Sequence, residues 1–137
     1  AARGGTTSVR FWGDTVDDRT CGYANVVDRG NGWGSAIPCD DDYKWAAPIG
    51  YYRPNDYGLH DMLGNVWEWT GDWYSPSYYK RSVRFNPKGP SSGKVRVTRG
   101  GSWGNNPMTI RSAGRGASKP DYRRSDLGFR LVLPDGK

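Results

Sequence analysis

The sequence predicts an α+β domain that is largely irregular, with a small antiparallel sheet and at most minor helix. Three observations carry that expectation. Apolar residues make up 35% of the chain while Gly (20 residues) and aromatic rings (14%) are abundant, which favours loops anchored on large rings over an aliphatic helical bundle. Long apolar patterns at helical spacing are missing, and turn-forming clusters recur, as in "RGNGWGS", "RPNDYG", "NPKGPSSGK" and "LPDGK". The segments between them are short and alternating, as half-buried strands are.

Two strands are expected in "VWEWTGDWY" (66–74) and "KVRVTRGGSW" (94–103), where apolar positions alternate with polar or small ones, and a third in the run "LGFRLVL" (127–133). With aliphatics scarce, Trp67, Trp69 and Phe129 are the expected core rings. A length of 137 residues supports one domain with a real core, and no linker, repeat or low-complexity tract divides residues 1–137. No window approaches the ~18 consecutive apolar residues of a membrane span, and no basic-then-apolar leader is present, so a soluble chain is expected.

The net charge of +6 conceals two halves of opposite sign. Residues 1–79 carry 6 Lys/Arg against 11 Asp/Glu, whereas residues 80–137 carry 14 against 3. The first half suits cations and the second anions, with ordinary solvated charge as the competing account. Cys21 and Cys39 suit either a loop-closing disulfide or two buried thiols, and the spacing leaves both open. The compartment is open too, with an extracellular or cell-surface location favoured.

Within the acidic half, "CDDDY" (39–43) sets three carboxylates in a row, and "YANVVD" (23–28) supplies Asn25 and Asp28 upstream. Hard cations such as calcium take six to eight oxygens from carboxylates, Asn side chains and loop carbonyls, which irregular backbone exposes. "DMLGNVWEW" (61–69) is a second candidate, because Asp61, Asn65 and Glu68 flank Gly64, whose freedom in φ allows a tight turn. A bare acidic turn is the plainer reading of either stretch.

Familiar catalytic patterns are missing. His60 is the only histidine, so it makes no zinc-type cluster with two cysteines, and no Gly-x-Ser-x-Gly surrounds a serine. A structural or surface role is expected for it. "RGGSWG" and "GRGAS" lack the Gly-Lys-Ser/Thr ending of a P-loop. "YYKRSVRF" and "PDYRRSD" interleave basic residues with rings, as single-strand binders do, but no nucleic-acid motif accompanies them, so nucleic acid is not the expected partner.

The segments "YANV", "APIG", "YRPNDYGLHDMLGNVWEWTGDWY", "NPKGPSSGKVRVTRGGSW", "RSAGR" and "LGFRLV" resemble, in that order, the formylglycine-generating (sulfatase-modifying factor) family. The similarity runs nearly the whole length, and "GNVWEW" with "RGGSW" and "LGFRLV" is specific in combination. It implies an irregular relative of the C-type lectin fold. In relatives "AARGG" follows a Trp-Glu-Tyr segment, which implies that the N-terminal part of the domain lies outside this chain and is one expected partner.

The resemblance also implies two structural calcium ions. One would take Asn25, the Val26 carbonyl, Asp41 and the Tyr43 carbonyl; the other Asp61, the Gly64 and Val66 carbonyls, and Glu68. The Asp61 match departs from relatives that have Asn there with a backbone contact. Oxidases of the family use two cysteines shortly after "GGS" to bind copper(I), because soft thiolates suit that ion. Here the interval is the shorter "GGSWGNNPMTIR", with Asn105 near the first cysteine position, so no copper is expected. The ergothioneine-type branch needs several histidines at its iron, and this chain has one.

A third branch comprises variable proteins of diversity-generating retroelements, whose stretch between "RGGSW" and "LGFRLV" is rewritten at Asn codons. The matching positions here imply a display face for a protein or glycan ligand, made of Trp103, Gly104, Asn105, Asn106, Thr109, Gly114, Arg115, Gly116, Ser118, Tyr122, Arg123, Arg124, Ser125 and Asp126. Trp103 is expected to supply apolar area there. Arg111 and Arg130, beside the "IRSA" and "GFRL" motifs, are expected to belong to the scaffold and to pair with carbonyls or carboxylates. The expected function is thus a non-catalytic, calcium-stabilised ligand-binding domain. An oxidase-like or other enzyme of the family is the alternative.

Overall fold

The computed structural model describes residues 1–30 and 37–133, so the turn clusters "RGNGWGS" and "LPDGK" lie mostly outside the described residues. Irregular chain dominates, as expected. Among the described residues it is interrupted by two short 3-10 helices, Asp18–Gly22 and Tyr78–Lys80, and one four-stranded sheet. Strand β1 (Trp67–Trp73) pairs antiparallel with β2 (Arg96–Arg99), and β2 with β3 (Gly116–Ser118). Strand β4 (Leu127–Gly128) lies parallel to β1 on its other edge, giving the order β3-β2-β1-β4. The sheet is therefore mixed rather than wholly antiparallel. After β3 at one edge the chain crosses to the far side of β1 and arrives in β1's own direction.

The strands at "VWEWTGDWY" and "KVRVTRGGSW" form where alternation places them. Trp69 and Trp73 of β1 face Thr98 and Arg96 of β2, so β1 carries extra residues and bulges around Gly71. The bulge is held from β2: Arg96 donates to the Gly71 carbonyl at 2.5 Å and lies over the Trp73 ring at 3.6 Å, while Thr70 Oγ1 donates to the Val97 carbonyl at 3.2 Å. The run "LGFRLVL" departs from expectation. Pairing stops at Gly128, and Phe129, Leu131, Val132 and Leu133 are all exposed.

The core sits in the first half of the chain. Cys21, Ala24, Val26, Ile37 and Leu63 pack with Ile110 from the loop after β2, and Phe11, Trp12, Val16 and Cys39 close over them. Cys21 and Cys39 form a disulfide, which resolves the alternative left open by their spacing. The helix bearing Cys21 starts at Asp17, whose carboxylate accepts from Arg19 N while Thr20 Oγ1 accepts from Asp17 N. The expectation of a ring-based core is corrected: Phe129 is 72% exposed, and Trp67 and Trp69 are only half-buried. Small aliphatics gathered around one covalent staple do the work instead.

The segment "GNVWEW" joins the two halves. Gly64 adopts φ +83°, and a Cβ there would lie 2.5 Å from the Asn25 carbonyl, so only glycine fits. Asn65 follows at φ 60° and donates from its backbone to the same carbonyl at 2.9 Å. Its side chain exchanges hydrogen bonds with both backbone groups of Ala47, and its own carbonyl accepts from Trp103 N. One buried amide thus fixes the acidic segment, β1 and the loop after β2 relative to one another.

Candidate ligand cleft and cation sites

The chain leaving β2 turns at Gly100 and Gly101 and drops Ser102 into full burial. Asn105 Oδ1 accepts from Ser102 N (2.9 Å) and Oγ (3.0 Å), so the loop closes on itself. Ser102 Oγ also lies 3.1 Å from Asp126 Oδ2, and Arg124 pairs with the same carboxylate at 2.7 Å. Asp126 in turn accepts Trp67 N on its own carbonyl at 2.8 Å, which carries the constellation back to β1.

Beneath the loop, Arg10 is almost wholly buried and donates to the carbonyls of Pro107 (2.9 Å) and Met108 (3.4 Å). Burial pulls its pKa below the ordinary guanidinium value, with the charge of Asp14 opposing.

Two adjoining hollows open beside this loop and share Trp67 and Asn105. The first, about 230 Å3, runs from the Gly100–Gly101 turn past Thr109 and Ile110 to Arg111, Gly114 and Arg115. The second, about 280 Å3, continues over β3 to Arg124, Asp126 and Leu127. Gly116 keeps the passage open. A Cβ there would meet Thr98 Oγ1 at 2.4 Å and the Trp67 ring at 3.2 Å. Arg115 forms the outer wall, its guanidinium stacked 4.9 Å from the Tyr74 centroid and 4.2 Å from that of Tyr79.

The expected display residues divide accordingly. Within residues 104–126, only Pro107, Ile110, Ser112 and Asp126 are buried, so the stretch is predominantly surface. Asn105, Thr109, Gly114 and Arg115 line the first hollow; Asn105, Gly116, Ser118, Arg124 and Asp126 line the second. Gly104, Asn106, Tyr122, Arg123 and Ser125 line neither. Two placements are corrected. Trp103 is 7% exposed and packs edge-on against Trp45 at 4.8 Å, so it supplies no open apolar area. Asp126 is 4% exposed, drawn in by Ser102 and Arg124.

Sequence reasoning missed Trp67 as a cleft wall, because its alternation reads as core, and Arg10, whose partners are about a hundred residues away. It also assigned Arg111 to the scaffold. That side chain is exposed, lines the first hollow, and makes no hydrogen bond or ion pair among the described residues. Arg130 behaves as expected: it bonds the Glu68 carboxylate and the carbonyls of His60 (3.0 Å) and Asp61 (3.1 Å).

The first acidic set meets a simple test of fit. Asn25 donates Nδ2 to the Trp45 carbonyl at 2.7 Å, and its Oδ1 is buried with no hydrogen-bond partner among the described residues. Asp41 is also buried and accepts from the backbone amides of Val26 at 2.8 Å and Tyr43 at 3.1 Å. Burial pushes its carboxyl up to about 7, and the charges of Asp28 and Asp40 push the same way. A buried carboxylate beside an orphaned amide oxygen suits a hard cation. Among the described residues no three His, Cys, Asp or Glu side chains group closely enough to hold a metal by themselves, so carbonyls such as those of Val26 and Tyr43 would have to complete the shell.

The second set offers an open oxygen as well, beside an arginine. Glu68 bonds the Arg130 guanidinium through both oxygens, and the same guanidinium reaches the Asp61 carbonyl. Asp61 Oδ2 accepts Gly50 N at 2.8 Å, while its Oδ1 is buried with no hydrogen-bond partner among the described residues. Glu68 thus has an arginine as its counter-charge, and Asp61 keeps one oxygen open for a cation.

Comparison with known proteins agrees with this architecture. The family model for the sulfatase-modifying factor enzyme 1-like domain matches residues 1–134. A formylglycine-generating enzyme of Streptomyces coelicolor is 38% identical over 140 residues, covering 96% of this chain and 43% of the relative. Among solved structures, PvdO from Pseudomonas aeruginosa superposes with a TM-score of 0.72 at 26% identity, over 93% of this chain and 46% of that one. Treponema denticola variable protein 1 does so with a TM-score of 0.69 at 30% identity, over 93% and 41%. The chain thus spans less than half of each of these proteins. It belongs to the sulfatase-modifying factor enzyme 1-like domain family, with the family's irregular, C-type lectin-like fold.

Proposed function

We propose that this chain is a non-catalytic ligand-binding domain, stabilised by calcium at Asn25 and Asp41, whose ligand enters the cleft bounded by Trp67, Asn105 and β3. The observation that carries the reading is the chemistry of the loop after "RGGS". Where the resemblance sets the oxidase's first copper cysteine stands Asn105, whose amide oxygen is engaged by Ser102. An amide does not replace a thiolate on copper(I). Both cysteines of the chain are joined to each other in the acidic half, so no thiolate is free to serve in the cleft. The likeness to a Treponema variable protein supports a display role, and with it a retroelement origin for residues 104–126. Calcium bound at the first acidic set supplies fixed positive charge that ties the Asp41 segment to Asn25 and Val26.

The 38% identity to a formylglycine-generating enzyme supports the second reading, an oxidase-like enzyme. Two measurements separate them. A random dodecapeptide library panned on the domain, counter-selected with the cleft-filling variant Thr109→Trp, returns peptides that need the open cleft. Incubation with a sulfatase-type Cys peptide, with and without copper(I), gives no aldehyde by mass spectrometry. Repeated turnover to aldehyde overturns the binding-domain reading in favour of the enzyme.

A further inference from the structure

Resting on that reading of the cleft, we infer that its ligand is carboxylate-bearing, an acidic peptide segment held by Arg111 and Arg115 at the first hollow. The positive charge at this wall exceeds what its own acids compensate. Three guanidinium groups line the two hollows, those of Arg111, Arg115 and Arg124, and Asp126 is the only acid among the lining residues. Asp126 is already paired with Arg124. Arg115 is held by two rings and by the Ser75 carbonyl at 3.4 Å, contacts that orient its charge without neutralising it. Arg111 is exposed and unpartnered among the described residues.

Two unneutralised guanidinium groups at one concave wall, that of Arg115 oriented by its rings, form a field that selects anions, and their planar forks match a carboxylate in two-point contact. The rest of the wall suits a peptide rather than a bare ion. The Trp67 ring offers a flat apolar face between the hollows, and Asn105, Thr98 and Ser118 offer polar groups along the second. Each hollow is smaller than the ~300–1,000 Å3 of a drug-sized pocket, which fits successive side chains of an extended segment better than one compact molecule. Glu68 is bound to Arg130, and Asp72 lies beside Gly89 in a separate hollow and lines neither of these two.

The dodecapeptide library itself is the test, read by composition. Peptides that bind the native domain and not Thr109→Trp are expected to be enriched in Asp and Glu. Their affinity should fall about tenfold in Arg111→Gln, equivalent to ~1.4 kcal/mol, and should change less than about twofold in the double variant Lys88→Gln/Lys94→Gln, whose exposed charges line neither hollow. Cleft-dependent peptides that are neutral or basic overturn this inference and leave the binding-domain reading standing. Acidic peptides that bind Thr109→Trp equally well, or that lose as much in the Lys88/Lys94 variant, reveal non-specific attraction and overturn it as well. If no cleft-dependent peptide is recovered, the binding-domain reading fails and this inference fails with it. Citrate and inorganic phosphate are the competing probes: displacement by citrate assigns the pocket to carboxylates, and preferential displacement by phosphate overturns that assignment.

Discussion

Residues 1–66 and residues 67–133 hold their shape by different means. Among its described residues the first part has no paired strand beyond isolated bridges and is fixed by a disulfide, a small aliphatic cluster and buried polar side chains that bond backbone: Asn25, Asp28, Asp41, Asn55 and Asp61. The second has the sheet, and its long cations lie on rings, Arg96 on Trp73 and Arg115 on Tyr74 and Tyr79. Irregular backbone must satisfy its amides and carbonyls individually, which draws carboxylates and amides inward. A sheet satisfies its own, and so leaves arginines and loop side chains free to face a ligand.

The sharpest way to break the comparison is to exchange the burdens of the two parts. Leu63 is 1% exposed in the core of the first part, and Phe129 is a large ring that the fold leaves outside. Leu63→Ala should cost ~2–5 kcal/mol in denaturant unfolding, the range for a buried Leu truncation. Phe129→Ala should stay within ~0.5 kcal/mol. Equal losses in both would mean that the terminal run carries core burden after all.

Calcium comes next in expected size. A ligand that binds only the native state at a hundredfold excess over Kd adds ~2.7 kcal/mol, so excess chelator should lower the melting temperature markedly. Asp41→Asn should abolish that response and Glu68→Gln should preserve it, because Glu68 already has Arg130 as its cation. Melting unchanged by chelator, with no metal found by elemental analysis, defeats the proposal.

These outcomes bear on what was legible in the sequence. Strands β1 and β2 could be read because the apolar alternation of "VWEWTGDWY" and "KVRVTRGGSW" falls where the strands form, although burial itself does not alternate along either. Strand β3 could not, since Gly-Ala-Ser has no alternation and forms a strand only because β2 offers it partners at Thr98, Val97 and Arg96. Alternation also misled. It marked Trp67 as core although the ring walls a cleft, and it extended the last strand to Leu133 although pairing with β1 stops at Glu68 opposite Gly128. On the site, composition between Trp103 and Leu127 identified a polar, mostly exposed stretch but not which of its residues converge. Convergence depends on the path across the sheet, and that is set by contacts such as Trp67 N to the Asp126 carbonyl that no local pattern encodes.

Arg10 tests the seam between the two parts. It reaches from the first part to hold the cleft loop by the Pro107 carbonyl, and Arg10→Met removes those donors while keeping much of the side-chain volume. Leaving a buried acceptor unpaired costs ~1–3 kcal/mol. Cleft-dependent peptide affinity should fall along with stability, because the loop that carries Thr109 loses its anchor. Stability lost without any change in affinity would show that the loop keeps its place unaided.

The smallest effects fall on the outer residues, and there the surface separates into two kinds. Tyr122 is exposed, lines neither hollow and makes no side-chain hydrogen bond or ring contact among the described residues, so Tyr122→Ala should leave unfolding within ~0.5 kcal/mol. Arg124 is also exposed but is the cation that neutralises Asp126. Without it, a carboxylate that is 4% exposed keeps only the Ser102 hydroxyl as a side-chain donor, and Ser102 is shared with Asn105 at the root of the cleft loop. Arg124→Ala should therefore cost ~1 kcal/mol or somewhat more, the scale of a buried charged group deprived of its partner. The companion change Asp126→Asn in the Arg124→Ala background removes the stranded charge while keeping an acceptor for Ser102, and should restore part of that loss. If instead Tyr122→Ala and Arg124→Ala melt alike, and Asp126→Asn restores nothing, the Arg124–Asp126 pair is ordinary surface charge, and the cleft loop is fixed by Ser102 and Asn105 alone.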